Sequence, residues 1–254
     1  MAGLFGNMAA KQPAISPLSL QKISTARGKF ALRIDNMELP AGKIACVVGP
    51  NGGGKTTLLL TVLGLLPHSG QVKICGQNFD GTQPQLKAKI GFVPDDPEML
   101  FTELTGRECW RLTASVLGGK NVASLEKRAE QLAGQLSFDP PVTLTKNYSH
   151  GMRKKTQIVS ALLGTPPLII LDELRNGLDP IAIKQAEDLI RTEKARGAAI
   201  LAATHDLWWA ERFADHIYIL RQGKIVASGS LRQLLKKGEQ HLEQAFFRIM
   251  EQAS

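Results

Sequence analysis

The segment FALRIDNMELPAGKIACVVG alternates apolar and polar positions from Phe30 to Leu39, turns at Pro40 to Gly42, and then runs apolar up to Gly49. Alternation predicts a strand with one covered face, and the short apolar run predicts a second, fully buried strand. TTLLLTVLGLL, from Thr56, predicts a helix directly after it. SGQVKICGQNFDG reads as strands and tight turns, and LKAKIGFVPDD as a strand ending before Asp95. From about 103 to 165 the pattern becomes helical, as in SLEKRAEQLAGQL, where Leu125, Ala129 and Leu132 share a face. Apolar strands return in PLIILDEL and GAAILAATHD, separated by the helical stretch PIAIKQAEDLIRTEKARG. IYILRQGKIVASG predicts a hairpin around Gln222 and Gly223, and short helices follow from Leu231. Apolar strands alternating with helices predict an α/β fold, a mostly parallel sheet covered on both faces, with helices inserted over about 103–165.

Composition leaves this picture intact. With 43% apolar and 21% charged residues in 254 positions, the chain can bury a sizeable core. Residues 1–17 mix Gly, Pro and small residues without a steady period and read as a flexible leader. Cys46, Cys75 and Cys109 are widely spaced and lack neighbouring histidines, which argues against a disulfide framework or a zinc site. The formal charge of +8 favours phosphates, nucleic acid or an anionic membrane surface as partners. No run reaches the roughly 18 apolar residues of a membrane span, so a membrane role calls for a partner.

The strongest chemistry lies in GPNGGGKTT, Gly49 to Thr57, placed between a strand and an apolar helix. Asn51, Gly52, Gly53 and Gly54 allow the backbone to approach phosphates closely, and the N–H groups up to Thr57 surround them at a positive helix end. Lys55 is suited to the β and γ phosphates, and Thr56 offers a hydroxyl to Mg²⁺. LIILDE carries Asp172 to the carboxyl edge of the sheet, where α/β proteins place ligands. Asp172 suits Mg²⁺, and Glu173 suits orienting or deprotonating an attacking water; an ordinary pair of surface carboxylates is the other reading. His205 follows another apolar strand and can reach the same edge.

The ordered set GPNGGGKTT, YSHGMRKK, LIILDELRNGLDP and ATHD resembles the nucleotide-binding subunit of ATP-binding-cassette transporters over about residues 18–230. The resemblance implies a P-loop NTPase core with a mostly parallel sheet, an antiparallel β subdomain and an inserted helical subdomain. It divides the chain into the 1–17 leader, a nucleotide-binding domain over 18–238 and a helical tail over 239–254. It implies a Mg²⁺-dependent ATPase with ATP and Mg²⁺ as cofactors, paired with a second, identical ATPase subunit. Such a pair drives separately encoded integral membrane permease subunits from the cytoplasmic face, and nucleic acid is not among the implied partners. The ending LEQAFFRIM resembles the tail of the bacterial export-type branch.

Residue by residue, the resemblance gives Ser149 and the Gly151 N–H a contact with the γ phosphate bound to the opposite subunit. Asp179 in GLDP corresponds to the loop that meets its counterpart across the dimer, although an isolated LDP also reads as a turn before a helix. His205 corresponds to the switch histidine that contacts the γ phosphate. Several positions depart from the family pattern: Tyr148, His150 and Met152 replace the usual Leu, Gly and Gln, and Leu174 and Arg175 replace Pro-Thr. Asp95 stands where a glutamine usually touches the metal or water and links the site to the membrane partner. An aspartate can still bind Mg²⁺, but it adds negative charge beside Asp172 and Glu173; a solvent-facing loop residue is its other reading. Phe30 is placed to stack on adenine and reads equally as core. Trp208 and Trp209 read as helix-packing or partner-contact residues that point in different directions. The cations of YSHGMRKK read as a basic helix start able to touch another protein surface.

Two contrasting functions stand beside this one, a cassette ATPase serving translation or DNA metabolism and a catalytically idle scaffold. Translation members usually join two cassettes and DNA-maintenance members insert a long coiled coil; this chain shows neither.

Overall fold

In the computed structural model, residues 15–96, 99–118 and 121–252 are described. Most of the expected 1–17 leader, residues 1–14, lies outside them. Strand β1 (Leu18–Arg27) pairs antiparallel with β2 (Phe30–Leu39) and, on its other side, with β4 (Ser69–Ile74). β5 (Gln77–Asn78) closes that edge. β3 (Ile44–Val48) lies parallel to both β8 (Ala199–Thr204) and β9 (His216–Arg221). β7 (Leu168–Asp172) is parallel to β8 and to β6 (Ile90–Val93). The hairpin partner of β9 is β10 (Lys224–Gly229), turned at Gln222 and Gly223, both at positive φ as a tight hairpin turn demands. Among the described residues the strands run β5-β4-β1-β2-β10-β9-β3-β8-β7-β6, so an antiparallel subdomain flanks a parallel core.

The parallel strands are buried on both faces, and alternate residues serve two separate cores. Ile44, Cys46 and Val48 of β3, with Ile169 and Leu171 of β7, face the helical side, while Ala45, Val47, Leu168 and Ile170 face the other. There they meet Leu58, Leu59 and Val62 of α1 (Lys55–Val62), together with the inner face of β1 and β2. α1 is shorter than TTLLLTVLGLL predicts. It stops at Val62 because Gly64 takes φ +68 and its backbone packs against Gly81, where an added Cβ would lie 2.3 Å from the Gly81 Cα. A short α2 (Pro84–Lys87), started by proline, leads into β6.

Among the described residues the inserted segment holds the α-helices α3 (Gly106–Gly118), α4 (Val122–Gln135) and α5 (His150–Leu162), with a 3-10 turn at Thr145–Asn147. Their core is an edge-to-face chain of Trp110, Phe138 and Tyr148, with ring centroids 6.2 and 6.5 Å apart. The polar ends are satisfied: Trp110 Nε1 donates to the Thr156 carbonyl at 3.1 Å, and the Tyr148 hydroxyl donates to the Pro141 carbonyl at 2.7 Å while accepting from Gly106 N. Ile158, Val159 and Leu162 of α5 are wholly buried, each contributing roughly 1.5–3 kcal/mol. A charge at Val159 would be buried without a partner, which costs several kcal/mol.

α6 (Pro180–Ala195) and α7 (Leu207–Phe213) connect the last parallel strands. Trp209 is buried and stacks on Phe213 at 4.5 Å, whereas Trp208 is exposed beside His241. α8 (Leu231–Leu234) starts with a Ser230 capping box, and α9 (Leu242–Gln252) is anchored where Glu211 accepts from Leu242 N at 2.6 Å. Among the described residues no helix is long and apolar enough to cross a membrane.

Candidate functional site

β3 delivers the chain to Gly49, whose Cα is pressed so closely to the neighbouring strand that a Cβ would lie 2.2 Å from the Leu220 carbonyl oxygen. No other residue fits that approach. The loop then folds back through Gly53 N to Pro50 O at 3.0 Å and enters α1 at Gly54, whose φ of +111° is a glycine conformation. Lys55 is buried, and its Nζ donates to the Gly49 carbonyl at 2.8 Å and the Pro50 carbonyl at 3.3 Å. Burial pushes its pKa below the ordinary lysine value, with Glu173 and Asp172 acting against that shift. Asn51, Gly52 and Thr56 are exposed, whereas Gly53 and Thr57 are buried.

Register carries the acidic residues to the same edge. Asp172 ends β7 opposite Ala203, with only 9% of its surface exposed. Its pKa is pushed up from 3.8 to about 6, first by burial and then by Asp95 and Glu173, against the relief offered by Lys154 and Lys55. Glu173 follows in a left-handed conformation at φ +44° and is held by its N–H to the Ala203 carbonyl at 3.0 Å. Both of its carboxylate oxygens meet the end of β8. The Thr204 hydroxyl donates to Oε2 at 2.9 Å, the His205 N–H donates to Oε1 at 3.1 Å, and His205 Nδ1 lies 2.8 Å from Oε1. Asp95 reaches this neighbourhood from the loop after β6 and accepts from Asn176 Nδ2 at 2.8 Å.

A cleft of about 390 Å³ joins these parts, lined by Phe30, Lys55, Thr56, Asp95, Asp172 and Glu173. Phe30 lies over the loop, since a Cβ on Gly54 would meet its Cζ at 2.8 Å. Arg27 lines the cleft as well and was not singled out from the sequence. The available signal was the hairpin register, in which Gly28 at φ +60° helps turn the chain so that Arg27 pairs with Phe30.

Ser149 and Gly151 do not line this cleft. They stand at the start of α5, where the Ser149 Oγ accepts from Met152 N at 3.3 Å. The His150 ring packs on the open face of Gly177, where a Cβ would be 2.4 Å from its Cδ2. Asp179 caps α6, accepting from Ile181 N and Ala182 N, both at 2.9 Å, and these bonds hold its pKa below the usual range.

Of the cations of YSHGMRKK, Arg153 and Lys155 remain half-exposed and Lys154 turns inward. Arg153 donates to the Thr145 and Lys146 carbonyls, and Lys154 is fully buried with Nζ 2.6 Å from the Pro94 carbonyl and 3.4 Å from that of Asp172. Burial lowers the Lys154 pKa to about 8, against Asp95, Asp172 and Glu173, which favour its charge. Lys154 adds a buried cation beside Asp172 that the motif pattern does not point to. Its spacing to Ile158 and Leu162, four and eight positions on, places it on the buried face of α5.

The donor set fits MgATP. Asn51, Gly52 and Gly54 to Thr57 line the cleft at the start of α1, a helix end that favours phosphate, and Asp95, Asp172 and Glu173 line it with Lys55. Among the described residues no three His, Cys, Asp or Glu side chains converge to hold a metal alone. Mg²⁺ is typically held by one or two carboxylates together with substrate phosphates, and Asp172, Asp95 and the Thr56 hydroxyl line the cleft.

Comparison with known proteins agrees with this geometry. The family profile described as ABC transporter matches residues 32–176. The chain is 33% identical to the ABC-type transporter ATP-binding protein EcsA of Bacillus subtilis, covering 85% of this chain and 90% of that one. It is 34% identical to the bacitracin transport ATP-binding protein BcrA of Bacillus licheniformis, over 82% of this chain and 67% of that one. Among solved structures, an ATP-binding subunit of an ABC transporter superposes with a TM-score of 0.85 at 30% identity, covering 92% of this chain and all of its own. MJ0796, a bacterial ABC transporter cassette solved as a dimer, shares the fold with a TM-score of 0.73 at 24% identity, over 85% of this chain and 99% of its own.

Proposed function

This chain belongs to the ABC transporter family as an ATP-binding, Mg²⁺-dependent ATPase subunit, and we propose how its residues divide that work. The observation that carries the reading is the Glu173–His205 contact of 2.8 Å at the edge of the cleft that also holds Lys55, Thr56 and Asp172.

Asn51 to Thr57 cradle the phosphates through backbone N–H groups. Lys55 exchanges the Gly49 and Pro50 carbonyls for the β and γ phosphate oxygens, a cheap exchange because its ammonium is already desolvated. Phe30 offers its ring to adenine, with Arg27 beside it. Thr56 and Asp172 hold Mg²⁺, with Asp95 adjoining; when bound, the ion supplies Lewis-acid stabilisation of phosphoryl charge. Glu173 orients the attacking water and accepts its proton, and His205 holds the carboxylate and reaches toward the γ phosphate. Ser149 and the Gly151 N–H, which do not line their own subunit's cleft, complete the site of a second, identical subunit, with Asp179 at the junction between them. A subunit that cannot close on another therefore hydrolyses ATP poorly.

The work of that cycle passes to separately encoded permease subunits at the cytoplasmic face of the membrane. Exposed Met99 and Phe101, close in sequence to Asp95, offer an apolar contact for them. Export is the direction we propose, on the resemblance of the ending LEQAFFRIM to the export-type branch; two relatives are named for bacitracin and lantibiotic transport. Within this architecture we assign residues 18–238 to the nucleotide-binding domain, 103–165 to its helical subdomain and 239–254 to the tail.

Co-purification from native membranes tests the reading. Glu173→Gln protein in MgATP is expected to retain a multi-span membrane protein and to release it without nucleotide. Recovery only with ribosomes or DNA would overturn the transport assignment.

A further inference from the structure

Arg175 stands where the family usually has threonine, two residues after Glu173. Its Nη1 donates to Asp206 Oδ2, and Asp206 is the residue after His205. Asp206 uses its other oxygen to cap α7, with Oδ1 accepting from Trp209 N at 2.9 Å. The ion pair is therefore anchored to a helix end on one side. On the other it is fixed to a tight turn, in which Asn176 N donates to Glu173 O at 3.1 Å and Leu178 N to Arg175 O at 3.2 Å. The Arg175 Nε is buried without a hydrogen-bond partner, so the Asp206 carboxylate holds this guanidinium in place.

The loops of Glu173 and His205 thus meet at the Glu173 residue itself, through its N–H and its bonds to Thr204 and His205, and again beyond it through Arg175 and Asp206. The second contact matters because Glu173 occupies a left-handed backbone conformation that a non-glycine residue keeps only when its surroundings impose it. Asn176, bonded to Asp95, stakes the same turn from the opposite side. We propose that Arg175 is a positioning residue: through Asp206 it fastens the turn that carries Glu173 to the loop that carries His205, and so keeps the two groups in register for water activation. This inference rests on the reading of Glu173 and His205 as the hydrolytic pair.

The test is steady-state Mg-ATPase activity of the full chain, at protein concentrations where specific activity no longer rises. Asp206→Asn retains the cap, since asparagine caps as well as aspartate, and removes only the charge. Arg175→Met removes the guanidinium. Each is expected to lower kcat roughly 3–10-fold with KM for ATP changed less than about two-fold, the effect of a loosened geometry rather than of lost binding. The double variant is expected to be no slower than the worse single one, and Arg175→Lys to recover part of the loss. Matched thermal midpoints for Asp206→Asn and wild type separate this from unfolding. Single variants with wild-type kcat, losses that multiply in the double variant, or a change confined to KM would overturn the proposal. Glu173→Gln in the same assay separates the two ideas. If it abolishes turnover while the Arg175 and Asp206 variants match wild type, the strap alone fails. If it keeps wild-type turnover, the hydrolytic assignment fails and the strap with it.

Discussion

Asp172→Asn should make the nucleotide-free protein more stable at neutral and alkaline pH while removing its Mg²⁺-dependent activity. The Asp172 carboxyl is 9% exposed and has its pKa raised from 3.8 to about 6 by burial and by Asp95 and Glu173. A rise of about two units corresponds to roughly 3 kcal/mol by which the folded state disfavours the ionised form. Between these two values the folded chain binds the proton more often than the unfolded chain, so stability falls as pH rises through that window, and the full penalty is present above about 6. Asparagine has nearly the same shape and no charge to desolvate. In EDTA, the stability of Asp172→Asn relative to wild type should therefore grow by about 2 kcal/mol between pH ~4.5 and pH ~8, measured by urea unfolding at each. A difference that stays flat with pH, or a variant less stable near pH 8, would refute the placement of a destabilising charge at this edge. The same charge is what a divalent cation would relieve, so the stability cost and metal binding arise from one arrangement.

Further consequences follow from the same edge. Asp95→Gln removes one of the carboxylates that raise Asp172, and Mg²⁺ titration of ATP turnover should show a changed half-activating concentration, whereas an unchanged titration would leave Asp95 as a bystander. Lys154→Met takes away the buried cation that offsets Asp95, Asp172 and Glu173 and, by leaving their charge for the metal to neutralise, should lower the Mg²⁺ concentration required severalfold. Because the Lys154 pKa is lowered to about 8 from 10.5, the unfolded chain holds a proton that the folded chain has released across that window, so wild-type stability rises with pH there. Unfolding of the Lys154→Met variant across the same window should lack this increment. His205→Ala should lower kcat on the order of 100-fold with little change in nucleotide affinity, checked by single-turnover hydrolysis beside equilibrium nucleotide binding.

The sequence disclosed the parts whose local pattern and tertiary role coincide. Gly49 to Thr57, the apolar run into Asp172 and the turn at Gln222 and Gly223 each combine a periodic segment with a residue type that backbone geometry demands. The end of α1 was hidden because leucines continue past it, and only the contact of Gly64 with Gly81 shows why the helix stops. Lys154 was hidden because a cation within a basic run suggests solvent, although helical spacing to Ile158 and Leu162 marks the buried face. The pairing of Arg175 with Asp206 joins loops 31 residues apart, a distance that no local pattern spans. Ser149 and Asp179 show the complementary case: in one subunit both are ordinary helix caps, and the roles proposed for them arise only when a second copy arrives.

The most direct test of the account is the solution mass of the Glu173→Gln protein with MgATP, with MgADP and without nucleotide, alongside a second variant that adds Ser149→Arg. Two subunits closing around ATP predict a dimer with MgATP alone, and a monomer under every condition once Ser149 is replaced. A monomer with MgATP, or a dimer indifferent to nucleotide and to Ser149, would contradict the shared site.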